Sequence, residues 1–324
     1  MKNARLFMIA LVSGLCCAAP ARAIDSSAGT GAGAFMKIGL GSARAMGMGG
    51  AYTALASGAD GLSWNPAAIA VSQQREVSFS HLAWLQDYGG NYAAYVHPLG
   101  QNVLGVNLGW LGADNFDARD AAGRPTPSQN VTVNDTFLTV ALARTFFAER
   151  LSVGGALKRV YESNDGDNYS SIVADAGAQL RLFNNSLALG FVVQNSGGSS
   201  DVVRTTRYGA AYTFSQYLTM AAEIESPSDN RSRSRLGLEL TLPEEVLQVG
   251  RFALRAGYYD ADDHGTNYDD GLLKDLKLDK TSSLTFGAGI YSGEVFGYAA
   301  GLDIAIAPYG ELGRATQLSL KVAF

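Results

Sequence analysis

The chain has 324 residues, of which 47% are hydrophobic and only 17% charged, with 25 basic against 30 acidic side chains. That balance excludes a disordered chain, which lacks the apolar surface to offset its ordering. An acidic chain with no basic cluster also excludes nucleic acid as a partner.

At the start, Lys2 and Arg5 precede an apolar run from Leu6 to Ala19, and Ala21-Arg22-Ala23 follows with the small-x-small pattern of a peptidase site. The run is too short to cross a bilayer core of about 30 Å, so residues 1–23 read as a cleaved signal peptide. Leu15 before Cys16 is unsuited to lipid attachment. Removing the signal takes both cysteines, Cys16 and Cys17, and with them any disulfide or thiol chemistry. It also takes Lys2, Arg5 and Arg22, which moves the formal charge from −5 to −8. No later stretch reaches about eighteen apolar residues, so no membrane-spanning helix is predicted.

Residues 24–75 contain no period-two run of useful length. They are rich in Ala and Gly, including Gly29, Gly31, Gly33, Gly39, Gly41, Gly47, Gly49 and Gly50. Small residues of this kind let a backbone pack closely against another surface. From residue 76 onward the pattern changes to strict alternation. Leu104, Val106, Leu108 and Trp110 alternate with Gly105, Asn107 and Gly109, and Leu236, Leu238, Leu240 and Leu242 alternate with Gly237, Glu239 and Thr241. Phe296 to Ile306 and Ile172 to Leu182 repeat the arrangement. One apolar face and one small or polar face is the signature of a strand whose outer side meets lipid.

About fourteen such strands are predicted, a density that fits tilted strands of roughly ten residues plus connections. They begin near Val77, Gly90, Asn102, Thr136, Leu151, Ser170, Leu187, Thr205, Leu218, Ser234, Phe252, Ser283, Phe296 and Thr316. Connections alternate in length. Residues 98–101, 147–150, 183–186, 214–217 and 292–295 are short, with 243–251 a longer member of that set, whereas 114–135, 162–169, 196–204, 227–233, 260–281 and 308–315 are long and polar. Short turns at one end and long loops at the other point to an all-β transmembrane antiparallel barrel in the outer membrane, with lipid and lipopolysaccharide around it. The last strand alternates Leu318, Leu320, Val322 and Phe324 with polar or small residues, and Phe324 resembles the aromatic signal read by the barrel-assembly machinery. The expected organisation is signal peptide 1–23, an N-terminal hatch or plug segment 24–75, and a barrel 76–324.

Three blocks in the N-terminal segment carry a resemblance. Phe35-Met36-Lys37-Ile38-Gly39, then Ala43-Arg44-Ala45-Met46-Gly47-Met48-Gly49-Gly50-Ala51-Tyr52, then Trp64-Asn65-Pro66-Ala67-Ala68-Ile69-Ala70 together resemble the PorV/PorQ family and, more distantly, the fatty-acid transporter FadL. The blocks cover about forty residues, and the strand count extends the likeness loosely. The resemblance implies a fourteen-stranded barrel with a hatch that carries the Asn-Pro-Ala motif, here Arg44, Gly47, Gly49, Gly50, Asn65, Pro66 and Ala67. Ala59-Asp60-Gly61 departs from the family pattern, in which an acidic pair and a small residue stand at that turn.

No enzyme, cofactor or metal site is expected. The glycines of 39–50 do not complete G-x-G-x-x-G, because Arg44 and Tyr52 stand where the third glycine is required. His81, His97 and His264 lack an accompanying nucleophile motif. Asp260-x-Asp262-x-His264-Gly265 imitates the start of a Ca²⁺ loop, but Gly271 replaces the bidentate Glu. Lumen-facing charges are predicted at Asp175, Arg181, Glu223, Glu225, Glu239, Arg255 and Asp303; they pair with one another, pair with the hatch through a residue such as Arg44, or line a solute path.

By resemblance to FadL, the leading functional expectation is passage of small hydrophobic compounds, captured at Trp84, Tyr88, Trp110, Phe116, Tyr258 and Tyr259 and released through a hatch-controlled opening. The same aromatics equally suit an interfacial girdle. The alternative, implied by resemblance to PorV, is a scaffold or shuttle for exported proteins in type IX secretion.

Overall fold

Alternation of side chains at period two gives each strand one lipid-facing side, and strand twist with pairing of the two edges closes the sheet into a barrel. The computed structural model describes residues 32–85, 88–119, 124–164, 167–198, 202–242, 244, 250–260, 283–295, 297–309 and 313–324, without the side chains of 114–119, 125–131 and 294–295. The expected signal peptide and the Ca²⁺-like loop beyond Asp260, with His264, lie outside the described residues.

Fourteen strands follow one another round the barrel: β1 (Glu76–Ala83), β2 (Gly89–Leu99), β3 (Asn102–Arg119), β4 (Pro125–Phe146), β5 (Leu151–Asn164), β6 (Asp167–Leu182), β7 (Leu187–Ser196), β8 (Thr205–Ser215), β9 (Leu218–Pro227), β10 (Arg233–Leu242), β11 (Arg251–Tyr259), β12 (Leu284–Val295), β13 (Tyr298–Pro308) and β14 (Arg314–Ala323). Each pairs antiparallel with its neighbours, and β1 closes on β14 in a register from Glu76↔Ala323 to Ala83↔Thr316. Closure satisfies the backbone groups that an open sheet would leave at its edges. The outer positions are apolar and exposed, for example Phe79, Leu142, Leu157, Ile172, Phe286 and Ile304, whereas the positions between them are buried. Water would penalise that surface and hydrocarbon does not.

Two expected loops turn out to be largely strand. Pairing of β3 with β4 runs past Ala113↔Val133 through register shifts to Arg119↔Pro125, so most of 114–135 is a projecting hairpin. β5 and β6 likewise stay paired to Asn164↔Asp167. Sequence polarity there reports contact with water, not loss of the ladder, because a hairpin that leaves the membrane keeps its hydrogen bonds while its side chains become hydrophilic. β4 therefore begins at Pro125, well before Thr136.

Candidate functional site

Residues 32–75 run through the interior of the barrel. At the end that carries the long connections, Ala32 bridges Val202, and Val203 N–H donates to Ala32 O at 3.0 Å. Gly33 N–H donates to the Glu162 carboxylate, and Lys37 pairs with Asp229 at 2.7 Å. The chain then passes through a 3₁₀ turn (Ala34–Ile38), a short helix (Ala43–Gly47), a second (Gly58–Gly61) and a 3₁₀ turn (Pro66–Val71). Ser42 caps the first helix by accepting from Ala45 N–H. Asn65 caps the last turn by accepting from Ala67 N–H at 3.0 Å, and Pro66 occupies its first position, where its fixed φ suits a start. At the short-turn end, Arg75 and Phe324 exchange backbone hydrogen bonds as β1 begins.

The segment fits because the wall facing it is made of glycine. Gly105, Gly154, Gly177, Gly190, Gly209, Gly237, Gly257 and Gly287 each lack a side chain where the inner segment approaches. A Cβ on Gly154 would lie 2.5 Å from Pro66 backbone, and one on Gly257 would lie 2.0 Å from Gly49 N. Gly154 faces Gly177, Gly190 faces Gly209 and Gly237 faces Gly257 across neighbouring strands, so the small positions align into a belt. On the inner side, Gly49 and Gly50 have φ of +64° and +79°, a conformation that β-carbon sterics disfavour.

Charge pairs join the segment to the wall. Arg44 donates to both oxygens of Glu239, at 2.8 and 2.7 Å, and lies over the Tyr52 ring. Arg255 donates to the same Glu239 at 2.6 Å, to Asp303 at 2.6 Å and to the Tyr291 hydroxyl at 2.6 Å. Glu223 accepts from Tyr52 and Thr53 N–H at 3.0 and 2.7 Å. Asp175 pairs with Lys158 at 2.8 Å and accepts from Asn195 N–H at a bulge in β7. Glu239, Arg255 and Asp303 thus meet Arg44 in one network, while Glu223 and Asp175 belong to separate ones. Arg181 shares the inward parity of β6 but sits near the turn, apart from the others.

Sequence reasoning missed several members. Asp60, within the departure from the family pattern, is buried and receives Lys321 Nζ at 2.9 Å, Ser42 Oγ at 3.1 Å and the Tyr52 hydroxyl at 3.2 Å. Burial pushes its pKa upward, but Lys321, Arg44 and the Ser42 hydroxyl together outweigh that and hold the carboxyl below the usual range. Arg207 donates to Gln194 at 2.6 Å and to Glu225 at 3.2 Å, and stacks 4.8 Å over Trp64. A lone acid in a Gly/Ala-rich stretch and basic residues at inward strand parity were the available signals.

Two environments flank the segment. Toward the long connections, Phe35 and Leu40 pack with Leu111, Phe137, Val160 and Val202, and Trp84, Tyr88 and Tyr309 pack against that cluster. Trp84, Tyr309 and Tyr259 form a chain of ring contacts at its mouth, with centroids 5.2 and 6.3 Å apart. Trp110 and Tyr258 instead point outward and are exposed; the Phe116 side chain lies outside the described residues. Toward the short turns, a cavity of about 740 Å³ is lined by Arg44, Asp60, Glu239, Arg251, Arg255, Tyr291, Asp303 and Lys321. Between them remains a gap of about 20 Å³ beside Trp64, Phe137 and Arg207, room for about one water. His81 faces outward and bonds Asn91 at 2.8 Å, and His97 bonds the Tyr95 hydroxyl at 2.9 Å.

Comparison with known proteins places the fold. The model of an uncharacterised protein family, UPF0164, matches residues 12–181. Among curated proteins no sequence matches the chain. Solved structures similar in fold include the toluene transporter TbuX of Ralstonia pickettii, at 12% identity, TM-score 0.56 and coverage of 87% of this chain and 96% of that one. A FadL homologue of Pseudomonas aeruginosa is similar at 10% identity, TM-score 0.56 and coverage of 87% and 97%. The CymD monoaromatic hydrocarbon channel is similar at 14% identity, TM-score 0.56 and coverage of 89% and 98%.

Proposed function

The chain belongs to the uncharacterised protein family UPF0164, and we propose that it is an outer-membrane channel for small hydrophobic compounds, with residues 32–75 as its plug. The observation that carries this reading is the buried apolar cluster over the segment, where Phe35, Leu40, Leu111 and Phe137 pack together beside the linked Trp84, Tyr309 and Tyr259 rings; the gap left there is only about 20 Å³, so a solute enters by parting these side chains. Aromatic and aliphatic side chains of this kind suit an apolar solute. The FadL-type fold supports the same reading, since proteins that share it are a toluene transporter and a monoaromatic hydrocarbon channel. The direct path onward is closed by Arg44, Glu239, Arg255 and Asp303, so passage requires the segment to shift.

Toluene is the test ligand, titrated into the full-length protein in detergent with Trp fluorescence as the readout. Saturable binding is expected, and Phe35→Ser should weaken it roughly ten- to hundredfold, since removing one buried ring forfeits roughly 1.5–3 kcal/mol. Non-saturable partitioning, or identical titrations for the two proteins, would refute the cluster as a ligand site. The projecting β3–β4 hairpin is the feature that favours the PorV-like scaffold reading, since it offers a docking surface beyond the membrane. Deleting residues 116–131 separates the two, because it abolishes partner capture in the scaffold reading and leaves toluene binding intact in the channel reading.

A further inference from the structure

The outer wall of an outer-membrane barrel meets hydrocarbon, so a charge there calls for an explanation. Among the described outward side chains of the fourteen strands, only Arg144, Arg159 and Arg314 carry a permanent charge, and none is acidic. Arg144 lies at the short-turn end, donates to the Gln101 side chain and covers the Phe146 ring. Arg314 is the first residue of β14, beside a long connection. Arg159 differs from both. It stands within β5 between Leu138 of β4 and Ile172 of β6, and it makes no hydrogen bond or ion pair among the described residues.

Its height on the wall is informative. From Leu151 to Arg159 the strand advances eight residues, about 20 Å along the barrel axis for strands tilted by about 40°. The apolar band of such barrels is about 25 Å tall. With the short turns taken as periplasmic, Arg159 lies at the upper edge of the outer leaflet, and its long side chain reaches up to the headgroups. Directly above it sits a polar row. Tyr161 faces Thr136 and Ser170 across the strands and donates to Asn168 at 2.8 Å, and Thr136 donates to Asn134. Beside it stand Leu138 and Ile172, and below lie Val140 and Leu157, exposed by 47, 65, 49 and 65%. The guanidinium is therefore flanked by hydroxyls and stands over a bare aliphatic wall.

We propose that this face is a lipopolysaccharide site, with Arg159 binding a phosphate of lipid A. A guanidinium offers the planar fork that pairs bidentately with phosphate. The hydroxyls of Tyr161, Thr136 and Ser170 meet the sugar. Three strands spaced about 4.8 Å apart form an apolar strip about 10 Å wide, enough for acyl chains side by side. A glycolipid with two phosphates and several acyl chains fits this combination of fork, hydroxyl row and broad wall. The proposal does not depend on the channel reading, since it concerns the opposite face of the wall.

The test is native mass spectrometry of the full-length protein in neutral detergent, titrated with defined lipids. Bis-phosphorylated lipid A should be retained by the wild type, and Arg159→Ala should reduce retention at least fivefold. Arg159→Lys should recover part of it, as a point charge without the fork, and Arg144→Ala should have no effect. Dephosphorylated lipid A, added to the unaltered protein, should bind like the variant, a result that does not depend on any substitution folding. Equal retention by Arg159→Ala, equal binding of dephosphorylated lipid A, or equal Arg159-dependent binding of phosphatidylglycerol would overturn the assignment.

Discussion

Gly154 and Gly155 are neighbours in β5 with opposite surroundings, and they offer a controlled test of whether the inner segment closes the lumen. A Cβ on Gly154 would meet Pro66 C and O at 2.5 Å and Ala67 N at 2.6 Å, whereas one on Gly155 would meet only Asp175 O, at 3.8 Å. Ordinary contact begins near 3.4 Å, so Gly154→Ala forces the 66–67 turn back by roughly 1 Å. The turn cannot yield easily, because Asn65 seats its cap against Gly177 and donates to Thr53 O and Ala178 O. Overpacking of this kind costs about 1–3 kcal/mol, and backbone against backbone belongs at the upper end. About 3 kcal/mol is roughly a hundredfold shift between seated and unseated segment, at about 1.4 kcal/mol per factor of ten. Planar-bilayer recording should show open events near a hundred times more frequent for Gly154→Ala than for wild type or Gly155→Ala. Heat-modifiable migration on gels should confirm that all three barrels fold. Identical conductance of the two alanine variants would refute the reasoning that the glycine belt seats a plug.

Asp60 sets a pH dependence. Its carboxyl is held below the usual range by Lys321, Arg44 and Ser42 together against the upward push of burial, so its contribution is present above the unfolded value of about 3.9 and is lost as pH falls through the lower folded value. Conductance of the wild type should stay low from neutral pH to about 4 and rise only in stronger acid, whereas Asp60→Asn should be leaky throughout; a wild type that opens between pH 7 and 5 would contradict this. Orientation can be checked with single cysteines. Ser228→Cys, in an exposed long-connection turn, should react with an impermeant maleimide on intact cells, and Glu149→Cys should react only after lysis. The reverse pattern would invert the assigned sides.

Barrel strands were readable because the information is local. Leu236, Leu238, Leu240 and Leu242 reveal an outward face without reference to any other strand, and most strand starts from Val77 to Thr316 follow from that alternation to within a few residues. The 114–135 stretch misled, since polarity marks where side chains enter water and says nothing of whether backbone pairing continues. Inward glycines such as Gly105, Gly177 and Gly237 were visible as small residues on the polar face. Their meaning as a seat for residues 47–67 required the path of that segment.

The sequence by itself determined the architecture: period-two strands, alternating connections and a distinct Gly/Ala-rich segment before them. Only the tertiary structure decided which charges meet. Arg44 and Glu239 are 195 residues apart, and Lys321 and Asp60 are 261 apart. Periodicity tells which face a side chain takes but not its height on the wall or the strand opposite it across the lumen. Those follow from register, closure and the course of the inner segment, which depend on the whole chain at once. For the same reason Asp60 stood in the sequence only as a departure from a motif, and it proves to be where the segment, through Ser42 and Tyr52, is tied to the last strand.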